Sequence, residues 1–282
     1  MTSDALKTFV LAALAILAFA GNSLLTKMAL AVPGMDAAPF VVIRLVSGAL
    51  VLAALMLRKP AQMLPKRVDW PGVLALLAYA VAFTLAYVRL GVATGALILF
   101  STVQITLAVL AAIQGTAPTL REGTGLLIAL AGLAILLMPG LTAPPLLGAA
   151  LMIAAGIAWG VYTLLGRGAT DPVPRTARNF IGAAPLACLL LLFFPHSHVT
   201  THGIWLAIAS GAVTSGLGYV IWYAVLPKLN VATAGAAQLL VPVITAAVGI
   251  LLLNEAFTLK FALIAVMVLS GIWLARGAPK RT

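Results

Sequence analysis

Residues 92–113 read VATGALILFSTVQITLAVLAAI, and residues 231–253 read VATAGAAQLLVPVITAAVGILLL. Laid over each other 139 positions apart, Val92-Ala93-Thr94 falls on Val231-Ala232-Thr233 and Ile105-Thr106 on Ile244-Thr245. The register continues beyond these stretches. Ala117, Thr119 and Leu120 meet Ala256, Thr258 and Leu259, Arg121 meets Lys260, Gly132 meets Gly271, and Gly21 meets Gly160. At an offset of 134, Arg44 falls on Arg178 and Gly48 on Gly182. Single matches are common in apolar sequence, but a register held through consecutive segments marks an internal duplication.

The duplicated unit is a set of membrane spans. The chain has 282 residues, 63% hydrophobic and 8% charged, with a mean hydropathy of +1.16. A bilayer core needs roughly 20 apolar residues per helix, and such runs follow one another with short polar breaks. They predict ten helices: 8–30, 37–57, 70–88, 92–113 and 123–138 in a first unit (1–140), then 146–166, 176–194, 203–225, 231–253 and 258–275 in a second (141–282). Continuous apolar runs indicate an all-α integral membrane protein rather than a barrel, since each span must satisfy its own backbone hydrogen bonds. Five is odd, so the second unit enters the membrane inverted relative to the first, an arrangement that lets two half-bundles open a central site alternately to each side.

Charge sets the orientation. The net charge of +11 sits in loops, where it reads as topology and not as a nucleic-acid surface. With the N-terminus inside, the cytoplasmic side holds thirteen cations: Lys7, Arg58, Lys59, Lys66, Arg67, Arg121, Arg167, Arg175, Arg178, Lys228, Arg276, Lys280 and Arg281. The other side holds three, Lys27, Arg89 and Lys260, and Arg44 lies within a span. This bias predicts a multi-pass inner-membrane protein with both termini cytoplasmic. Lys7, an apolar run and Ala18-Phe19-Ala20 also resemble a cleaved signal peptide, but apolar sequence runs on to Leu30 and the segment has a counterpart in the repeat, so we read it as retained.

Two five-helix units, Trp159-Gly160 in the sixth helix, the Gly-bearing fourth helix after Val92-Ala93-Thr94-Gly95 and the Asn254-Glu255-Ala256 turn before the last helix resemble the drug/metabolite transporter superfamily, EamA type. Among its members the chain resembles the YddG-like exporters of aromatic and other neutral amino acids. The resemblance covers essentially the whole chain, and implies a ten-helix transporter exporting small neutral or aromatic solutes, amino acids first among them. One departure is that the first half has Gly115-Thr116 where the second has Asn254-Glu255.

Candidate substrate-binding residues are those that lipid does not explain. Trp159 lies mid-span beside a Gly156-x-x-x-Gly160 pattern, away from the interfacial belts where Trp usually sits. Tyr79 and Phe83, four apart, share a face, and Phe83 falls on Trp222 in the repeat. Tyr219 and Trp222 share another face nearer the cytoplasmic end. Each aromatic has ordinary core packing as its rival account. Buried polar groups cost free energy unless paired, which singles out Asn22 and Gln238. Ser23, Ser101, Thr102 and Gln104 are also near span centres, the hydroxyls being able to bond their own helix backbone. Pro242, with Gly235, interrupts the ninth span. Arg44 lies roughly 10 Å deep by helical rise and must snorkel or find a partner: helix-end carbonyls, Asp36 or a substrate carboxylate. Lys27 near the outer end of the first span poses the same question.

Several chemistries are excluded. No Asp or Glu lies at a span centre, so a membrane-buried proton relay is absent from the pattern, and solute movement down its own gradient is expected. His196, His198 and His202 share one loop, which reads as solvated rather than metal-binding. Cys188 is the single cysteine, so no intramolecular disulfide forms, and no phosphate-binding loop signals ATP hydrolysis. No cofactor is called for, and no convergent nucleophile and base supports the rival class, a membrane-embedded lipid-modifying enzyme. Export of drugs, nucleosides or other metabolites stays open.

Overall fold

The structure, a computed structural model, describes residues 3–31, 34–113, 115, 119–137, 143–166, 171–229, 231–256 and 258–275. Every regular element among the described residues is helical, with no strand. The first five spans are α1 (Ser3–Leu30), α2 (Ala37–Leu55), α3 (Trp70–Tyr87), α4 (Val92–Ile113) and α5 (Leu120–Leu137). Then come α6 (Leu146–Gly166), α7 (Pro172–Cys188) with a one-turn continuation α8 (Leu190–Phe193), and an eighth span made of α9 (Thr201–Ile208) and α10 (Gly218–Val225) joined by a π-helical segment, Ala209–Leu217. The last two are α11 (Val231–Leu253) and α12 (Leu259–Leu274). Among the described residues seven spans are long and apolar enough to cross a bilayer by length and composition, and α11 and α12 contribute shorter apolar stretches. With α5, ten helices make the bundle.

Helix ends differ from the sequence expectation where caps decide them. The fifth helix starts at Leu120, not 123, because Thr119 and Glu122 cap it reciprocally: the Thr119 amide donates to Glu122 Oε2 at 2.7 Å and the Glu122 amide to Thr119 Oγ1 at 3.3 Å. The expected end, Met138, lies outside the described residues. The seventh starts at Pro172, not 176, because Asp171 Oδ1 accepts the Val173 amide and proline suits the first turn. It also breaks after Cys188, earlier than the expected 194. Thr258, the repeat counterpart of Thr119, caps α12 by accepting the Phe261 amide at 3.1 Å. Gly115 and Asn254, also counterparts, both adopt left-handed backbone (φ 85° and 52°) in the turns leading into α5 and α12. Gly235 is described only as backbone within α11, and the cations Arg167, Arg276, Lys280 and Arg281 lie outside the described residues.

Packing repeats when the halves are exchanged. α3 lies on α6 as the eighth span lies on α1, α4 lies on α6 as α11 lies on α1, and α2 packs on the eighth span as α7 packs on α3. The remaining main pairs, α2 with α7, α4 with α11 and α5 with α12, map onto themselves. Each half thus completes the other, and the core sits where α1, α3, α6 and the eighth span meet. Small residues allow the close crossings: a Cβ on Gly156 would stand 2.6 Å from Thr102 Cβ, and one on Gly271 would stand 2.6 Å from the Ala129 backbone nitrogen. Outward faces carry large exposed apolar side chains such as Phe9, Leu17, Trp205, Leu251 and Val266, which suit lipid.

Candidate functional site

The π segment explains how the eighth span brings polar groups into the core. Its i→i+5 register stacks residues five apart, so Ser210 and Ser215 face the same neighbour. Both hydroxyls donate to Asn22 Oδ1 on α1, at 2.8 and 3.4 Å, and Asn22 Nδ2 donates to the Tyr79 hydroxyl on α3 at 3.1 Å. Gly211 lets this segment press against α2, since a Cβ there would run into the Arg44 carbonyl oxygen and Ser47 Oγ. Asn22, Ser210 and Ser215 are buried and hydrogen-bonded, as polar groups in lipid must be.

Arg44 reaches into this network from α2. It neither snorkels nor meets Asp36: it is 1% exposed, while Asp36 accepts the His198 amide at 2.7 Å in the loop before α9. Arg44 Nε donates to Ser215 Oγ at 3.1 Å and Nη2 to the Tyr219 hydroxyl at 3.2 Å. Its guanidinium carbon stands 5.3 Å from the ring centre of Tyr79 and 5.2 Å from that of Phe83, within cation–π range.

Around this cation the aromatic residues form one continuous cluster. Tyr79 packs on Phe83 (5.1 Å between centroids) and on Trp159 (4.9 Å), and Trp159 packs in turn on Tyr219 (4.6 Å), Tyr162 (5.4 Å) and Phe19 (5.8 Å). Of the six candidate residues, the structure therefore brings together Asn22, Arg44, Tyr79, Phe83 and Trp159. Gln238 stands apart from them: its Oε1 accepts from Gln104 Nε2 at 3.0 Å, tying α11 to α4. Ser101 and Thr102 bond their own helix, to the Leu97 and Ile98 carbonyls. Lys27 donates to the Tyr87 carbonyl at 3.1 Å, away from Arg44.

Sequence reasoning missed Ser210, Ser215 and Phe19, and set Tyr219 towards the cytoplasmic end although it touches both Arg44 and Trp159. A signal was present in the run ASGAVTSG at 209–216, small and hydroxyl residues that favour close packing in a membrane. What it could not disclose is the π register that aims two of those hydroxyls at one amide.

A second polar junction joins the halves at the end of the bundle holding the α3–α4 and α11–α12 turns. The Glu255 carboxylate accepts from the Val92 and Ala93 amides, the latter at 3.1 Å, capping the N-terminus of α4. There a carboxylate satisfies open amides and meets the positive end of the helix dipole. A cavity of about 140 Å³ beside it is lined by Thr94, Thr258, Lys260 and Phe261 among others.

A ten-helix bundle whose main packing pairs recur on exchange of its halves, wrapped around a buried centre of aromatic and polar groups, defines a polytopic membrane protein. Known proteins agree. The EamA-like transporter family matches residues 146–277. An uncharacterized protein of Pseudomonas aeruginosa is 48% identical over 272 residues, covering 95% of this chain and 94% of the relative. An uncharacterized transporter of Archaeoglobus fulgidus is 26% identical over 282 residues (95% of this chain, 96% of the relative), and one of Bacillus subtilis is 24% identical over 135 residues (46% of each). A solved crystal structure superposes with a TM-score of 0.71 at 20% identity, covering 95% of this chain and 97% of the other, a likeness of fold. The chain belongs to the EamA-like transporter family.

Proposed function

We propose that this chain is a secondary transporter that exports small neutral or aromatic solutes, amino acids first among them, across the inner membrane by alternating access. The observation that carries the reading is the Arg44 cluster: a cation, an amide and hydroxyls held within aromatic walls, at the place where α1, α2, α3, α6 and the eighth span meet. Such a mixed lining suits a small solute with an apolar body and polar ends. Asn22, Arg44, Tyr79, Phe83 and Trp159 would surround the solute when the cluster opens, while Gln238 would act from the α4–α11 junction. The units 1–140 and 141–282 would rock against each other, exposing the cluster first to the cytoplasm, where both termini lie, and then to the far side.

The movement is facilitative in this reading. Five of the six side-chain carboxylates are engaged in caps, in a loop contact and in the Asp69–Arg178 pair, and Asp4 is exposed, which leaves no unpaired buried acid to carry protons between the two sides. Counterflow in proteoliposomes with a labelled amino-acid panel tests the function. Exchange of at least one aromatic or neutral amino acid is expected, unaffected by an imposed pH gradient. Exchange of only nucleosides or drugs from a parallel panel would move the protein to the alternative substrate class, and accumulation that follows a pH gradient and collapses with a protonophore would overturn the facilitative mechanism.

A further inference from the structure

Arg44 is more fully buried than its partners can justify. Guanidinium stays charged at any physiological pH. Two of its nitrogens are engaged by neutral hydroxyls, and the third, Nη1, is buried with no hydrogen-bond partner. A cation in that position calls for an anion, because desolvating the charge costs far more than neutral hydroxyls return.

The protein does not supply that anion. All six side-chain carboxylates fall within the described residues, and each is placed elsewhere. Asp4 is exposed in the first turn of α1, Asp36 holds the His198 amide, and Glu122, Asp171 and Glu255 cap helices. Asp69 pairs with Arg178 at 2.6 Å. That last pair is an internal control, since Arg178 is the repeat counterpart of Arg44: one copy of the arginine has a carboxylate and the other does not.

Next to Arg44 the same inventory leaves no carboxylate and no open amide oxygen for a substrate ammonium. Asn22 Oδ1, the amide oxygen of the cluster, already accepts from Ser210 and Ser215, and the faces of Tyr79 and Phe83, where a cation could rest, are taken by Arg44 itself. The open amide oxygen of Asn179, Oδ1, lies beyond Tyr162 in a cleft that Arg175 also lines, so a cation already stands beside it.

We infer that the site selects a small aromatic or apolar carboxylate carried as an anion, its oxygens held by Arg44 Nη1 and the Tyr219 hydroxyl and its body among Phe83 and Trp159, and that an α-ammonium group hinders binding. The inference rests on the Arg44 site proposed above and moves its first substrate from amino acids to aromatic carboxylates that lack the ammonium group. It also gives export a driving force without protons. Each solute leaving carries one negative charge, and an inside-negative potential of 100 mV favours the outer compartment about fifty-fold.

Three labelled probes that share a phenyl body separate the possibilities: 3-phenyllactate (carboxylate only), phenylalanine (zwitterion) and 2-phenylethylamine (ammonium only). In proteoliposomes corrected against protein-free vesicles, phenyllactate is expected to exchange at least tenfold faster than the other two. Its final distribution should follow a potassium–valinomycin potential by about fifty-fold per 100 mV. Arg44→Gln should remove that preference, and Tyr219→Phe, which keeps the ring, should weaken phenyllactate exchange several-fold in protein that still elutes as wild type. If phenylalanine exchanges as fast as phenyllactate, if the distribution ignores the potential, or if both variants keep the wild-type preference, the inference is wrong while the transporter reading stands. Failure of all three probes alongside rapid exchange of an uncharged solute overturns the inference alone, and failure of every solute overturns both.

Discussion

Trp159 touches Phe19, Tyr79, Tyr162 and Tyr219, so four helices are joined through one indole. Aromatic pairs of this kind contribute about 0.5–1.5 kcal/mol each beyond area burial. If these rings also form the wall of the solute site, truncating them should cost function before it costs the fold. We predict that Tyr79→Ala, Phe83→Ala and Trp159→Ala each lower initial counterflow rates at least tenfold in protein that elutes as wild type, and wild-type rates for every solute in all three variants would remove them from the site. These residues were legible in the sequence because a mid-span aromatic is unexplained by interfacial belts. Arg44 was legible as a problem but not as a solution. Depth could be read from helical rise, whereas its partners Ser215 and Tyr219 lie 171 and 175 residues away and depend on how the halves pack.

The turn between α11 and α12 shows how two copies of one element diverge. Gly115 and Asn254 share left-handed backbone, yet the following residue is Thr116 in one copy and Glu255 in the other. Only the second can place a carboxylate on the opposite half, and it does so on Val92 and Ala93. A charged N-terminal cap is worth roughly 1 kcal/mol. Glu255→Gln is therefore predicted to loosen this end of the bundle, raising the population open there about fivefold, as read by the labelling rate of a cysteine placed at Thr94. An unchanged rate would make the contact incidental. Helix existence was legible because twenty apolar residues have few alternatives in a bilayer, while helix ends followed caps such as Thr119 with Glu122 that hydropathy does not weigh. The π segment was not legible, since register within a helix depends on what Gly211 and its neighbours press against.

For the whole molecule, the repeat was visible as a 139-residue register, and the main helix pairs recur when the halves are exchanged. The positive-inside bias turns that architecture into a topology. A cysteine at Ser197, in the loop between α8 and α9, should react with an impermeant thiol reagent only from the non-cytoplasmic face of oriented vesicles. Reaction from the cytoplasmic face alone would overturn the orientation.

In an alternating-access cycle the buried Arg44 cluster is the point that both faces reach in turn. Ser215→Cys, in a background where the exposed Cys188 has been replaced by alanine, places a thiol beside Arg44 Nε. With an impermeant thiol reagent applied to oriented vesicles from each face in separate experiments, labelling should be slow from both faces and slower still from both when a transported solute is present. Labelling from one face only, or labelling that transported solute leaves unchanged, would contradict alternating access at this cluster.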